Sequence, residues 1–152
     1  MAHDILKQLR FDSKTIETVS ELVLYHDMKI TDEKQLKRLL NRLGESRLKM
    51  LLEVKKADII AKNPVFVKTR LVQLAKTSKF LEKIICEQDC YKINHLAING
   101  EDIMTLGQPE GPAVGKILNS LLEMVIDGKI INNRTDLVIQ TKKMIELIKN
   151  NQ

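Results

Sequence analysis

Apolar residues recur along almost the whole chain at intervals of three and four positions, which is the spacing of amphipathic helices. The pattern predicts a short first helix over residues 2–9 and a second helix that Asp12 or Ser13 can cap. A third helix is expected to begin at Asp32, with Gln35 three positions later as in a capping box. Its apolar stripe consists of Leu36, Leu39, Leu40 and Leu43, and Gly44 is expected to stop it.

The same spacing continues and predicts two further helices in this half of the chain. The first must end near Asn63, because a residue that precedes a proline avoids helical geometry and Pro64 follows. The second is a long helix from about Phe66 to Cys86. Residues 89–94 then interrupt the pattern, so they are the predicted boundary between two parts.

The remaining residues also show helical spacing. We expect helices that end at Ile98, Gly107 and Gly128, and a last helix that Asn133 and Asp136 can cap. Neither alternating strands nor solenoid repeats are visible in the sequence. The predicted fold is therefore all-α, with a multi-helix, bundle-like body over residues 1–90 and a smaller helical tail lobe over residues 91–152.

A corner rich in glycine and proline separates two helices of the predicted tail. Residues 99–118 contain four of the six glycines and two of the three prolines of the chain. Gly111 precedes Pro112, which suits a first helical position, and Gly115 leaves the next turn without a side chain. An open helix N-terminus can bind a phosphate, and the competing interpretation is a packed helix–turn–helix corner.

Charge is distributed unevenly along the chain. The formal net charge is +5, but residues 29–79 alone carry 14 Lys and Arg against five acids, a net +9. Residues 92–152 balance seven basic against seven acidic side chains. A concentrated basic segment predicts a polyanionic partner, whereas the plain alternative is an ordinary solvated helical surface.

Composition predicts a cytoplasmic protein. The chain of 152 residues is 43% hydrophobic, contains no apolar run long enough to span a bilayer, and opens with no signal segment, so no membrane partner is expected. Cys86 and Cys90 form no disulfide framework, which is typical of a reducing compartment. With His95 they supply too few ligands for a structural zinc site, so we interpret them as ordinary thiols.

No enzyme active site is visible in the sequence. The pair His26-Asp27 could belong to a metal-dependent phosphohydrolase, but the chain has only three histidines and lacks a full ligand set. A helix-end pair is the favoured interpretation, and no phosphate-binding loop or nucleophile elbow is present. We therefore nominate no catalytic residue and no metal ligand.

The scarcity of aromatic residues narrows the type of nucleic acid that could bind. Proteins that bind single strands stack bases on aromatic rings, whereas Phe11, Phe66 and Phe80 are expected to pack within apolar stripes. The backbone and shape of structured RNA are therefore the predicted target. The predicted phosphate contacts are Lys37, Arg38, Arg42, Lys55, Lys56, Gly111, Gly115, Lys116, Lys129 and Arg134.

Several segments also resemble a known family. They are the run from Leu9 to Ile16, the stretch from Leu48 to Lys62, and the run Leu96-Ala97-Ile98-Asn99-Gly100-Glu101-Asp102-Ile103. The pattern continues with Leu106-Gly107, Gly111-Pro112-Ala113-Val114-Gly115, Leu118, Leu121-Leu122-Glu123-Met124-Val125 and Gly128-Lys129-Ile130. In order and approximate spacing these segments resemble the C-terminal part of bacterial CCA-adding enzymes and the related poly(A) polymerase-type tRNA nucleotidyltransferases.

The resemblance implies an all-helical body and tail that bind tRNA. In the family a separate N-terminal head holds two metal-binding carboxylates and transfers nucleotides from CTP and ATP with Mg²⁺. The sequence contains no Asp-x-Asp and no Gly-Gly-x-Val-Arg-Asp-like segment, so this chain is expected to hold no cofactor and to be inactive alone. The missing catalytic region is one expected partner, and tRNA or another structured RNA is the other.

Two alternatives stay open at the sequence level. One is a helical protein-interaction module, and a homo-oligomer is likewise left open. The other is a degenerate HD-type phosphohydrolase that uses His26, Asp27 and Asp58, which fall where family members carry remnants of an HD-type domain. Gln108-Pro109-Glu110 departs from the family pattern and places an acid beside the glycine-rich corner.

Overall fold

The computed structural model describes residues 2–62 and 64–150. The described part contains seven α-helices, one 3₁₀ turn and no strand, which confirms the predicted all-α fold. The first four helices are α1 (Ala2–Gln8), α2 (Ser13–Tyr25), α3 (Glu33–Ala61) and α4 (Pro64–Cys86). The 3₁₀ turn (Ile93–His95) is followed by α5 (Gly100–Thr105), α6 (Pro112–Ile126) and α7 (Arg134–Asn150). The expected helix end near Asn63 is confirmed, because α3 ends at Ala61 and Lys62 is its extended C-cap, while Asn63 itself lies outside the described residues.

The chain divides into two compact units, one over residues 1–87 and the other over residues 88–152. In the first unit, Asp12 caps α2 by accepting a hydrogen bond from the Thr15 amide at 3.0 Å. Asp32 caps α3 in the same way, through the Gln35 amide at 2.8 Å. The Gln35 side chain accepts from the amide of Thr31, one residue earlier than the reciprocal bond of a capping box requires.

Helical geometry breaks within α3 at Gly44, where the chain kinks. Gly44 has φ 75° and ψ 168°, a combination that is essentially confined to glycine. The helix resumes immediately and continues to Ala61, so the expected stop at Gly44 is an interruption between two helical segments. A Cβ atom at Gly44 would meet no atom of the described residues within 4 Å, so the backbone conformation is what requires glycine here.

The core of the first unit lies between α3 and α4. Its buried side chains are Leu36, Leu39, Leu40, Leu43, Leu48, Leu51 and Leu52 of α3 and Leu81 and Ile84 of α4. Neither α1 nor α2, which both lie within the described ranges, contains a fully buried residue. Arg47 of α3 instead reaches α2, where its two terminal nitrogens lie 2.6 Å from Glu21 and 2.9 Å from Glu17.

The second unit packs around α6. Its core consists of Leu96, Ile98, Ile103, Ile117, Leu118, Leu121, Leu122, Ile126, Leu137 and Ile145. The expected helix ending at Ile98 is wrong, because only a 3₁₀ turn forms at Ile93–His95. Asn99 is extended, with φ −124° and ψ −174°, and it caps α5 in a full capping box with Asp102. A cap must have nonhelical geometry, so no helix can run through Asn99 into α5.

Helix α6 ends at Ile126, two residues before Gly128, where the sequence predicts a helix end. Gly128 has φ 69°, its amide donates to the Val125 carbonyl, and the Lys129 amide donates to the Met124 carbonyl. These two bonds form a Schellman motif, which satisfies carbonyls that the helix leaves free. Within the described ranges, no helix combines the length and the apolar character that crossing a bilayer requires.

Candidate nucleic-acid interface

The predicted phosphate contacts of the first unit all lie on α3. Lys37, Arg38 and Arg42 precede the interruption at Gly44, where Lys37 and Arg38 are half-buried and Arg42 is exposed. The Arg42 guanidinium carbon lies 5.5 Å from the centre of the Tyr25 ring, a cation–π contact between α3 and α2. This contact fixes the direction of Arg42 and leaves its charge at the surface.

Lys55 and Lys56, in the second half of α3, differ in their hydrogen bonds and in their exposure. The Lys55 amine donates to the carbonyl oxygens of His26 and Met28, each at 2.6 Å, so it ties the segment after α2 to α3. Partial burial lowers the pKa of Lys55, an effect that the nearby charges of Asp27 and Asp58 oppose. Lys56 is exposed. Two of the three N–H groups of the Lys55 ammonium are used by these bonds, so only one is left for a ligand. The exposed amine of Lys56 is accessible to a ligand.

A cleft of about 740 Å³ lies beside Lys55, between residues 26–32, the second half of α3, and α4. We call it the α3–α4 cleft. Its basic lining residues are Lys29, Lys55, Lys62, Arg70 and Lys76. Its acidic lining residues are Asp27, Asp32 and Asp58.

Each carboxylate of the α3–α4 cleft already has a partner. The Lys62 amine lies 2.7 Å from the Asp58 carboxylate and 3.6 Å from that of Asp27. The hydrogen bond from Lys62 is the main reason that the pKa of Asp58 is lowered. Asp32 caps α3, and the hydrogen bond from the Gln35 amide lowers its pKa. Because five cations line the cleft against three carboxylates, it has a net positive charge, which attracts anions.

The residues of the HD-type hypothesis meet at this cleft. His26, Asp27 and Asp58 all line it, and His26 Nε2 lies 3.3 Å from Asp27 Oδ2. His26 Nδ1 lies 2.6 Å from the Val23 carbonyl, which can only accept, so Nδ1 carries the proton. The Lys62 ammonium contacts both carboxylates. Among the described residues, no group of three or more His, Cys, Asp or Glu side chains is arranged to hold a metal ion.

The expectation that the phenylalanines pack within apolar stripes is wrong. Phe11 is 48% exposed, Phe66 is 55% exposed and Phe80 is 43% exposed. The reason is that α1 and α2 form no buried layer and that, among the residues of α4 whose burial is described, only Leu81 and Ile84 are buried. Phe80 lines the α3–α4 cleft, and the Arg70 guanidinium carbon lies 6.0 Å from the Phe66 ring centre.

Sequence reasoning therefore missed Phe80 and the cations around it. Arg70, Gln73, Thr77 and Phe80 follow one another at intervals of three, four and three residues, and all line the cleft. This spacing is visible in the sequence as one helix face. What the sequence could not show is that residues 26–32 lie opposite that face.

The glycine-rich corner of the second unit presents an open helix N-terminus. Gly111 is the N-cap of α6, with φ 151°, and no side chain caps the helix. A Cβ atom at Gly115 would meet no atom within 4 Å in the described residues, so no other backbone approaches it there. Lys116 and Glu110 are exposed and Gln108 is buried. The uncapped N-terminus of α6 and the exposed Lys116 are the features that a phosphate contact needs. The acidic residue Glu110 directly precedes the N-cap Gly111.

The last two predicted phosphate contacts are engaged with acids. The Lys129 amine lies 3.1 Å from the Asp127 carboxylate. The Arg134 guanidinium donates to Asp102 and so connects the start of α7 to the start of α5. This bond is the main cause of the lowered pKa of Asp102. The hydrogen bond that the Asp102 carboxylate accepts from the Asn99 amide lowers it further. Arg134 is still 66% exposed, so it can serve both the fold and a ligand.

Comparison with known proteins gives one finding. A family model described as tRNA nucleotidyltransferase domain 2 matches residues 1–140, which is most of the chain. Comparisons with curated proteins and with solved structures give no significant match.

Proposed function

The chain belongs to the tRNA nucleotidyltransferase domain 2 family, and from that premise we propose that it binds tRNA through the backbone and shape of the RNA. In this proposal it corresponds to the body and tail of a bacterial CCA-adding enzyme. It holds the RNA, and a separate catalytic region that uses Mg²⁺, CTP and ATP performs the transfer. We assign no catalytic residue to this chain.

The observation that carries the proposal is the net charge of +9 over residues 29–79. These residues include all of α3 and most of α4, and they contribute the cations of the α3–α4 cleft. Lysine and arginine near phosphates release condensed counterions, which supplies affinity that depends on salt and not on sequence. The family match supports tRNA as the polyanion.

Fluorescence anisotropy with labelled tRNA, measured over a series of salt concentrations, tests the proposal. Each phosphate contact contributes roughly 0.7 to 0.9 to the slope of log affinity against log salt. The double variant Arg42→Gln/Lys56→Gln is therefore expected to reduce the slope by roughly 1.5. The matched control Lys142→Gln/Lys143→Gln removes two exposed charges of α7 and is expected to change the slope little.

Polyglutamate or another acidic polymer serves as the competitor. If tRNA and the polymer bind equally well, or if the two double variants behave alike, the protein has only a general affinity for anions. In that case the tRNA proposal is wrong.

A protein-interaction module is a second candidate, and one surface favours it. Val65, Phe66 and Val72 of α4 are all more than half exposed, so this helix presents apolar side chains to solvent, which we call the apolar stripe of α4. Light scattering over a range of concentrations would reveal self-association through this stripe. Substituting Val72→Ser, which changes no charge, would then weaken the association, and the tRNA salt slope would stay unchanged.

A further inference from the structure

Three cations of the α3–α4 cleft are available to a ligand. Lys29, Arg70 and Lys76 line it, and within residues 2–62 and 64–150 the structure records no ion pair for any of them. The cleft carboxylates, by contrast, are held by Lys62 or engaged in capping α3. An anionic group entering the cleft therefore meets positive charge that no recorded ion pair engages.

The same cleft has an aromatic wall. Phe80 lines it and keeps 43% of its surface exposed, and the apolar side chains of Ile59 and Leu74 line the same cleft. Leaving this much aromatic surface in water is unfavourable, and covering it with a flat ring is a strong source of binding energy. Aromatic rings beside cations are the arrangement with which proteins bind unpaired bases of RNA.

The size and the chemistry of the cleft together select the ligand. At about 740 Å³ it lies within the range of roughly 300–1,000 Å³ that small-molecule sites occupy. A free phosphate would use Lys29, Arg70 and Lys76 but leave Phe80 uncovered. The carboxylates of an acidic peptide would also contact the cations, but they offer no flat ring to cover Phe80. A nucleotide supplies both groups, and Gln73 and Thr77 offer polar atoms to a base edge.

We propose that the α3–α4 cleft binds one unpaired nucleotide of the RNA, with its base against Phe80 and a phosphate among Lys29, Arg70 and Lys76. This proposal rests on the proposed tRNA binding and adds to it a site for a single-stranded residue. It predicts that the protein distinguishes RNA with an unpaired nucleotide from a fully paired stem.

Two RNA probes and three variants test this site. The probes are a single-stranded oligoadenylate and a blunt-ended RNA duplex, and the variants are Phe80→Leu, Phe80→Tyr and the control Phe11→Leu. Phe80→Leu is expected to weaken binding of the single strand by roughly 5-fold to 100-fold and to leave duplex binding within about 2-fold. Phe80→Tyr retains the ring and is expected to retain binding. Phe11→Leu removes an exposed ring that does not line the cleft and is expected to have no effect.

The outcomes separate this site from tRNA binding in general. If the wild-type protein binds the duplex but not the single strand, or if Phe80→Leu weakens both probes equally or neither, the nucleotide site is wrong and tRNA binding stands. If the wild-type protein binds neither the probes nor tRNA, the proposed function itself fails. Thermal unfolding shows whether Phe80→Leu is folded. If it is not, Gln73→Ala, which removes an uncharged side chain offered to the base edge, replaces it, with a selective loss of single-strand binding expected and the same outcomes decisive.

Discussion

The Nζ atom of Lys55 lies 2.6 Å from the carbonyl oxygen of His26, a residue 29 positions earlier in the chain. A second bond of the same length joins Lys55 to the Met28 carbonyl. Through these contacts α3 holds the segment that forms one wall of the α3–α4 cleft. Lys55 therefore tethers this wall of the cleft to α3.

Replacing Lys55 by methionine tests this role. Methionine retains the apolar stem but leaves both carbonyls without their donor, so we expect the free energy of unfolding to fall by about 1–3 kcal/mol. Urea unfolding followed by circular dichroism measures the change. The neighbouring control Lys56→Met alters an exposed side chain and is expected to stay within about 0.5 kcal/mol of wild type. Equal losses in the two variants would show that Lys55 is not a tether.

Two glycines with different backbone geometry give a second prediction. Gly44 has φ 75° and ψ 168°, so Gly44→Ala is expected to destabilise the protein by about 1–3 kcal/mol. Gly115 lies inside α6 with open space around it, so Gly115→Ala is expected to stabilise the protein by about 0.5–1 kcal/mol. Thermal unfolding of both variants checks the pair. If Gly44→Ala were neutral, the kink would not require glycine.

The bond between Arg134 and Asp102 predicts how stability depends on pH. The pKa of Asp102 is lowered in the folded state, so its contribution to stability is fully present above the unfolded-state value of about 4. As the pH falls through the lower, folded-state pKa, the carboxylate is protonated and this contribution is lost. Acid unfolding should therefore involve Asp102.

The variant Asp102→Asn removes the titrating group, so its loss of stability between neutral pH and pH 3 is expected to be smaller than that of wild type, although it starts from a lower stability. Unfolding by urea at a series of pH values measures this. The control Glu110→Gln removes an exposed acid of the glycine-rich corner and should leave the profile unchanged. A wild-type profile in Asp102→Asn would contradict the assignment.

The open N-terminus of α6 leads to a prediction about the tail. Lys116 is exposed one turn into this helix, and it has the geometry of a phosphate contact. Lys116→Gln is expected to lower the salt slope of tRNA binding by roughly 0.7 to 0.9, the value for one lost contact. Lys143→Gln on α7 is the matched control. If both variants reproduce the wild-type slope, the corner has only a structural role.

Much of the fold followed from local signals. Asp12, Asp32 and Asn133 were expected to cap helices, and the structure shows each of them accepting the hydrogen bond of a cap. Such bonds join residues three positions apart, so they depend on the local sequence alone. The 3₁₀ turn at Ile93–His95 was missed because the apolar side chains of Leu96 and Ile98, which suggested a helix, are buried in the core of the second unit by tertiary packing.

The sequence by itself determined the all-α class, most of the helix boundaries and the basic segment over residues 29–79, because periodicity, capping and charge are properties of near neighbours. Only the tertiary structure decided what the charged and aromatic side chains do. It placed the amine of Lys55 on distant carbonyls, Lys62 between two carboxylates, and Phe80 at the edge of a cleft and not in a stripe. These outcomes depend on which helix faces meet, and that is set by packing between residues far apart in the chain.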